Sequence, residues 1–489
     1  MAPNDTNSNS TNMSIHHRKA AVLVLFWILV QSSSPAVGFH NNNNNQLTPR
    51  SRLPKPHPSP SIQADISHGG ASSKSEQQQG TATIPNEIFN LVKSIVGAGV
   101  LSLPAGIAAF GNAPSALLPA IVLIAIMGAI SAYTFSMIAR VCRMTHATSY
   151  ADCWDKTRGN MAWIVAASSA LDCFAGNLTY SMVLADTCKD LLAAFGIVTT
   201  RSKALLALTS VVLLPLCLVK NLASLAPFSL VGIMGMVYTS IAIGTRYFGG
   251  DYIVPTGKFV QDLAPGMIPS FGSTGAMGAL SPKSLILVSM LSTAYIAHFN
   301  APKFYRELKN NTMARFNTVV ASSFGLSIAF YALVSSMGFL TFGSATAAMI
   351  LNNYSTKDTL ISLSRFAVGL SLIFSYPLLF VGTRDGLLDL AQVPESKRSV
   401  LLLNQITVGL VAILTGLALK VTDLTFVASM SGALLGTSLI FIFPTLMFRA
   451  AVANSKNPTR GQQLESRLCA VIAALGVAIA GVGTKMALQ

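Results

Sequence analysis

The most constraining feature of this sequence is a series of apolar segments, each long enough to cross a lipid bilayer. Two of them, residues 116–139 and 424–448, contain no charged side chain at all. A helix of about 20 apolar residues crosses the roughly 30 Å of hydrocarbon in a bilayer. Because backbone groups inside the bilayer must pair within the protein, such segments fold as helices. The sequence therefore predicts an all-α integral membrane protein.

The composition agrees with this class. Hydrophobic residues make up 52% of the 489 residues and charged residues only 10%, against about 25% charged in soluble domains. The net charge of +15 comes from basic residues spread over short loops, which argues against a nucleic-acid partner. The six cysteines have no CxxC spacing, so we expect packing roles for them, with no disulfide framework and no metal site.

Eleven membrane spans are predicted, all after residue 83. They cover residues 90–110, 116–139, 161–185, 204–219, 222–245, 285–299, 318–342, 366–383, 400–419, 424–448 and 468–484. Lys and Arg are concentrated in the loops on the side where the first span begins, so the positive-inside rule places the amino end of the membrane domain inside. One outer loop would carry the N-glycosylation sequence Asn353-Tyr354-Ser355.

The first 83 residues precede the membrane domain. Residues 1–38 have a signal-peptide pattern, in which four basic residues precede an apolar run at 20–30. Residues 39–83 form a polar tail, and no acidic residue occurs between 39 and 64, a composition typical of transit peptides and disordered segments. The pair resembles the bipartite plastid-targeting leaders of some algae. An ordinary signal peptide or a cytosolic tail stays open, and with it a vacuolar or plasma membrane.

Two spans are interrupted in the middle. The first contains Gly97, Gly99 and Pro104, and the sixth ends in a polar stretch at 292–302. They occupy corresponding positions if spans one to five and six to ten are inverted repeats. Broken helices at such positions indicate a midplane substrate site in a secondary transporter. The alternative is that the glycines permit close helix packing.

The residues at the first interruption resemble a known family. The segment FNLVKSIVGAGVLSLP at 89–104 is similar to the first-helix signature of the amino acid/auxin permease family, and residues 214–229, 298–309 and 365–377 resemble later segments of it. The resemblance covers residues 84–487. It implies an amino acid transporter transmembrane domain at 84–489 with eleven helices, a five-plus-five inverted-repeat core and alternating access.

The resemblance also implies a site. Unwinding at the first break would expose backbone amides and a helix amino end to a substrate carboxylate. Carbonyls at the second break, helped by nearby hydroxyl groups, would bind the substrate ammonium. The predicted substrate-binding residues are Gly97, Ala98, Gly99, Ser292, Thr293 and Tyr295.

The coupling ion is predicted from the same alignment. Lys93 stands where sodium-coupled members have an asparagine, while Ser375 stands at their helix-eight hydroxyl. A lysine could replace the sodium charge or carry a proton, or it could simply reach toward water at the membrane surface. His298 titrates in a range that suits proton coupling, or it is structural. Asp186 matches an acidic family position; Asp172 has no counterpart and is a residue to test.

These features predict a proton-coupled secondary active transporter of small or neutral amino acids, working by alternating access. The alternatives are a sodium-coupled neutral amino acid transporter and an amino acid sensor without turnover. The sequence contains no catalytic constellation, so we expect neither an enzyme nor a cofactor, and H⁺ is the predicted coupling ion, with Na⁺ as its alternative. The expected partners are an amino acid substrate and the lipid bilayer; the sequence does not determine the oligomeric state.

Overall fold

The computed structural model describes residues 80–159, 161–219 and 228–488. The predicted leader, most of the polar tail and the family-like segment at 220–227 lie outside these ranges. The described chain is α-helical, and its helices are α1 Ile84–Ile95, α2 Leu103–Phe110, α3 Leu117–Thr145, α4 Tyr150–Arg158, α5 Ala162–Ala194, α6 Arg201–Leu208, α7 Leu214–Cys217, α8 Phe228–Gly249, α9 Ser284–Ala294, α10 Ala301–Glu307, α11 Met313–Phe342, α12 Thr359–Leu390, α13 Val400–Lys420, α14 Leu424–Ser431, α15 Phe443–Ala453 and α16 Arg460–Leu488.

The first span is broken where the glycines predict it. Helix α1 starts after the cap residue Thr83 and ends at Ile95; a 3₁₀ turn, Ala98–Ser102, then leads into α2. The axes of the two halves differ by 44°. Pro104 stands in the first turn of α2, where its missing amide hydrogen costs nothing. The break therefore separates two short helices inside one predicted span.

The sixth span is interrupted as well. Helix α9 ends at Ala294, and a 3₁₀ turn, His298–Asn300, precedes the short helix α10. Pro302 occupies the first turn of α10, the position that proline tolerates best. Residues 295–297 between the two helices have no helical hydrogen-bond ladder. The Tyr295 amide still donates to the Leu291 carbonyl at 2.9 Å, and the Ala297 carbonyl accepts from the Asn300 amide at 2.9 Å. The regular helix is therefore interrupted for only a few residues.

The described residues of the predicted spans lie mainly in helices. Seven of the described helical segments are long and apolar enough to cross a membrane. Counting the bent pair α1 and α2 as one span gives eight. The third, fourth and fifth predicted spans correspond to α5, to α6 with α7, and to α8, which are not among these eight. The described chain is therefore a multi-pass helical membrane protein.

Helix α11 packs against both halves of the first span, α1 and α2, and against α3. Its Tyr331 hydroxyl also reaches the Ala294 carbonyl at the end of α9 in the sixth span. Helix α5 lies along α12 through buried polar contacts: the Asn177 amide donates to the Thr383 hydroxyl at 3.2 Å, and Ser181 bonds Tyr376 at 3.1 Å. In a bilayer such contacts hold helices together, because lipid offers polar groups no partner. The site lies between these two helix groups.

The tenth span contains two π-helical segments, Gly432–Gly436 and Ser438–Ile442, between α14 and α15. A Cβ on Gly432 would collide with the carbonyl oxygen of Ser289 in α9. Glycine is required there because the two helices are in direct backbone contact. The tenth span therefore fixes the position of α9.

The glycosylation sequence lies in the loop between α11 and α12, where its asparagine is not exposed. Asn353 is fully buried, and its side chain accepts from the Ala347 amide at 2.7 Å and donates to the Ala345 carbonyl at 2.8 Å. Its amide closes a loop that leads into α12. In the folded protein this asparagine is inaccessible, so the glycosylation motif is structural.

Candidate functional site

The two breaks meet at Tyr331 of α11. Its hydroxyl oxygen lies 2.7 Å from the Ile95 carbonyl, where α1 ends, and 2.7 Å from the Ala294 carbonyl, where α9 ends. The side chain is fully buried. A hydroxyl has one hydrogen, so it donates fully to one carbonyl at a time and leaves accepting capacity on the other. The geometry places a shared donor and two exposed helix ends at one point.

Gly97 and Gly99 have room around them. A Cβ built on Gly97 would meet nothing closer than the Tyr180 hydroxyl at 3.8 Å, and one on Gly99 would meet Ala294 at 3.8 Å. Gly97 has φ −124°, which any residue can adopt. Neither helix packing nor backbone conformation therefore requires these glycines. A methyl group would fit at either position in ordinary van der Waals contact with its neighbours.

The break in the first span also contains backbone amides without a partner in the helix. The Val100 amide bonds the Gly97 carbonyl at 3.3 Å, whereas Ala98 and Gly99 begin the 3₁₀ turn. Amides at the start of a helical turn have no partner within the turn. Such amides carry partial positive charge and bind anions. The segment Gly97 to Gly99 can therefore hold a carboxylate.

Tyr180 of α5 is a site residue that the sequence reasoning missed. Its half-buried side chain brings a hydroxyl to the open side of Gly97. Tyr331 of α11 was also missed. A tyrosine within an apolar span needs a partner for its hydroxyl, and that rule could have selected both residues as candidates. The partner itself belongs to another span and is invisible in the sequence.

The hydroxyl groups predicted to hold the ammonium already have protein partners. Ser292 donates to the carbonyl of Val288 one turn earlier, at 3.1 Å. Thr293 donates to Ala428 of α14 at 2.8 Å, and the buried Tyr295 donates to Ile124 of α3 at 3.1 Å. These side chains fix the position of the sixth span. The groups left for a ligand at this break are backbone carbonyls.

His298 lies between the sixth span and α3. Its Nε2 atom is 3.1 Å from the Ser131 carbonyl and 3.0 Å from the Thr134 hydroxyl. A carbonyl only accepts, so Nε2 carries the hydrogen and Nδ1 is the bare acceptor. The ring is fully buried with its edge toward Phe135, 5.6 Å between centroids. Within the described residues, Nδ1 has no hydrogen-bond partner.

Lys93 lies in the last turn of α1, about one turn before the break, and is half-buried. No ion pair to it occurs among the described residues. Ser375 is half-buried in α12, two residues before Pro377, which interrupts the hydrogen bonding of that helix. Lys93 therefore lies two residues before the end of α1 at Ile95.

The two acidic residues of α5 have different surroundings. Asp186 forms an ion pair with Arg201 at the start of α6, 2.7 Å between Nε and Oδ1, and Arg201 also donates to the Ala418 carbonyl. This pair links three helices. Asp172 is buried, and the Ser431 hydroxyl at the end of α14 lies within hydrogen-bonding reach of it.

Comparison with known proteins identifies the family of the chain. The family model described as "Transmembrane amino acid transporter protein" matches residues 80–489. The chain is 28% identical over 305 residues to "Vacuolar amino acid transporter 7" of Saccharomyces cerevisiae, an alignment that covers 62% of this chain and 58% of the yeast protein. It is 25% identical over 380 residues to "Putative sodium-coupled neutral amino acid transporter 11" of Danio rerio, with 76% and 79% covered.

A third relative, "Amino acid transporter AVT6E" of Arabidopsis thaliana, is 25% identical over 421 residues, 81% of each chain. Among solved structures, MhsT in complex with L-phenylalanine superposes with a TM-score of 0.51 at 13% identity, covering 83% of this chain and 99% of MhsT. That similarity concerns the fold. The match of the family model to most of the chain identifies it as a transporter rather than an enzyme, and the chain therefore belongs to the transmembrane amino acid transporter family.

Proposed function

We propose that this protein is a secondary active transporter that moves a small or neutral amino acid together with a proton. The observation that carries the proposal is the meeting of two helix breaks at the Tyr331 hydroxyl, 2.7 Å from the Ile95 and Ala294 carbonyls. Breaks of this kind hold substrates at the midplane of transporters built from eleven helices and inverted repeats.

The substrate zwitterion completes both helices. Its carboxylate accepts from the amides of Gly97, Ala98 and Gly99, where the space beside the glycines lets it approach the backbone. Its ammonium donates to the carbonyls at the ends of α1 and α9. The sixth-span residues Ser292, Thr293 and Tyr295 act by holding those carbonyls in place through their bonds to neighbouring helices.

Lys93 supplies the positive charge that a sodium ion supplies in sodium-coupled transporters. It lies one turn before the break, half-buried and without an ion-pair partner in the described chain. Ser375 of α12 is the second residue that we propose for ion coupling. His298 is a second candidate proton carrier through its bare Nδ1 atom, whereas Asp186 acts through its pair with Arg201.

Transport requires the site to open to each side in turn. The side at which α1 begins carries the basic loops, and we call it the basic end of the bundle: it comprises the residues before α1 and the loops after α3, α4, α10, α12 and α15. In this structure the basic end is closed, since the Ala82 amide donates to Glu307 and the Lys309 amide donates to Ala82, both at 2.9 Å. Alternating access means breaking these bonds.

Sodium coupling is the second candidate. It is favoured by the name of the Danio rerio relative, which is described as sodium-coupled. Against it stands a fixed ammonium group, because a lysine and a sodium ion at one position would repel each other. The coupling ion is therefore the first property to measure.

The membrane is an internal one on this proposal. The Saccharomyces cerevisiae relative is named a vacuolar transporter, which favours a vacuole-type membrane over the plastid expected from the leader. The basic end would then face the cytosol, following the positive-inside rule.

The test is uptake of labelled amino acids into proteoliposomes that contain the full chain, under an imposed pH gradient, with and without sodium. Wild type is compared with Lys93→Ala and with Lys420→Ala, which removes an exposed lysine at the end of α13. We expect uptake to follow the pH gradient and ignore sodium, and only Lys93→Ala to lose the pH response. Uptake that needs sodium would refute proton coupling, and binding without uptake would indicate a sensor.

A further inference from the structure

Glu87 is a buried carboxylic acid that the proposed mechanism leaves unused. It lies in the first turns of α1 with its side chain 1% exposed. In the part of the chain that the structure describes, neither of its carboxyl oxygens has a hydrogen-bond partner. An ionised carboxylate in such a place would lose its hydration and gain nothing in return. The neutral acid is the form that this environment accepts.

The charged groups near Glu87 do not change this conclusion. They are Lys303 and Glu307 of α10, which are largely exposed and lie 3.9 Å from each other, so their charges mostly cancel. From α11 the nearest polar contribution is the Ser323 hydroxyl, which donates to the Ile88 carbonyl at 3.3 Å. Helix α1 is thus held against both helices by contacts that bypass the Glu87 carboxyl group.

Glu87 lies directly behind the closed basic end. The backbone bonds of Ala82 to Glu307 and Lys309 fasten the start of α1 to the end of α10. The chain also packs closely against the end of α10 two residues before Ala82, because a Cβ on Gly80 would collide with the carbonyl oxygens of Arg306 and Glu307. On the proposed alternating access, separation of α1 from α10 would expose Glu87 to water, and their return would enclose it again.

We propose that Glu87 is a proton-binding site that must be filled before the basic end can close. The closed conformation binds the proton because an ionised, unpaired carboxylate is costly to bury. The open conformation releases it, because a hydrated glutamate ionises above about pH 4.3. Opening therefore releases one proton to the compartment that faces the basic end, and closing takes one up from the same compartment.

This proton differs from the coupling proton. It is loaded and released on one side of the membrane, so it provides no driving force. Instead, it makes the closed fraction depend on the pH at the basic end: acid favours closure and alkali favours opening. The inference rests on the alternating access of the proposed function and is independent of its coupling ion.

The experiment measures the opening of the basic end with a cysteine. Leu91 is fully buried one turn after Glu87, so Leu91→Cys reacts with a membrane-impermeant maleimide only when α1 moves away. The full chain is labelled from the basic end between about pH 5 and pH 8, above the ordinary glutamate pKa of about 4.3. The same chain without Leu91→Cys measures labelling of the native cysteines.

The decisive comparison is the ratio of labelling rates between Leu91→Cys and Leu91→Cys with Glu87→Gln. Glutamine imitates the protonated acid, and the ratio cancels the pH dependence of the thiol itself. We expect the ratio to rise with pH by up to about tenfold per unit, the limit for one linked proton. Glu87→Leu in the same background should give the same rise, and it serves if the glutamine variant does not fold.

Asp172→Asn is the matched control, since Asp172 is the buried acid of α5 and the Ser431 hydroxyl lies within its reach. We expect it to leave the pH dependence of labelling unchanged. A flat ratio for Glu87→Gln would overturn the inference, and so would loss of the pH dependence in Asp172→Asn alone. If Leu91→Cys is never labelled while substrate still binds, it is alternating access that fails.

Discussion

At the residue scale, the glycines in the membrane spans differ in what surrounds them. Gly97 and Gly99 have free space where a Cβ would stand, whereas a Cβ on Gly106 would lie 2.9 Å from the Leu287 side chain, and one on Gly432 would collide with the Ser289 carbonyl. The second pair is needed for close contact with a neighbouring helix, whereas packing does not require the first pair, for which we propose a role in substrate binding. Whether such a glycine permits close helix contact is therefore known only from its surroundings.

We expect Gly97→Ala to weaken transport without destabilising the fold. The added methyl group fits the protein but occupies the space beside the backbone amides, so the Michaelis constant should rise by about tenfold, equivalent to about 1.4 kcal/mol. Gly432→Ala should do the opposite and lower the melting temperature, since overpacking costs about 1–3 kcal/mol. Uptake kinetics and thermal unfolding of both variants test this pair. Equal losses of stability would contradict it.

The role of Tyr331 can be tested with a single substitution. Tyr331→Phe removes the hydroxyl between the two helix ends and leaves two buried carbonyls with one donor fewer. We expect substrate affinity to fall about tenfold, as measured by uptake at varied substrate concentration. Tyr238→Phe is the control, because its hydroxyl also donates to a carbonyl, that of Leu360, at 3.1 Å. Loss of affinity in both variants would indicate a general effect on packing.

At the element scale, helix α12 is anchored at its amino end. Asp358 is fully buried, caps the Leu360 and Ile361 amides, and bonds Arg246 through both oxygens and Tyr252 through one. A carboxylate suits this position because the amino end of a helix carries partial positive charge. The cluster ties α8 and α12 together at the end of the bundle opposite the basic end.

We expect Asp358→Asn to destabilise the protein by about 3 kcal/mol, because it leaves the Arg246 guanidinium half-buried with one partner, Asp251, in place of two. Thermal unfolding of the purified protein measures this loss. The control is Asp262→Asn at the exposed pair with Lys357, which should cost less than about 1 kcal/mol. A similar loss in both variants would mean that burial of the pair is unimportant.

At the scale of the whole molecule, the basic end is closed by two backbone hydrogen bonds, from the Ala82 amide to Glu307 and from the Lys309 amide to Ala82. We call this pair of bonds the clasp. The clasp joins a residue that precedes the first helix to residues that follow the sixth span, so it connects the two halves of the predicted repeat. On the proposed alternating-access mechanism, the strength of these bonds sets the balance between the closed and open conformations. A single bond of about 1 kcal/mol changes such a balance about fivefold.

Ala82→Pro tests the clasp. Proline has no amide hydrogen, so the bond from Ala82 to the Glu307 carbonyl is lost. We expect the basic end to open about fivefold more often, measured as faster maleimide labelling of Leu91→Cys. Ala82→Ser keeps the amide and should behave like wild type. Unchanged labelling in the proline variant would show that the clasp does not control opening.

The sequence alone determined the class of the protein and the position of the breaks. Long apolar runs without charge require membrane helices, and Gly97, Gly99 and Pro104 mark a local interruption that needs no tertiary information. The same holds for the sixth span, where α9 ends at Ala294 as the polar stretch predicts. Neighbouring residues decide where a helix can continue, so the position of a break can be predicted from the sequence alone.

Only the tertiary structure decided which side chains face the breaks. Ser292, Thr293 and Tyr295 lie at the predicted place, yet their hydroxyls bind neighbouring carbonyls. Tyr331 joins the site from more than 200 residues away from Ile95, and Glu87 is a buried acid although it begins its helix. The physical reason is that burial and hydrogen bonding depend on helices distant in sequence, whose packing and rotation no local pattern records.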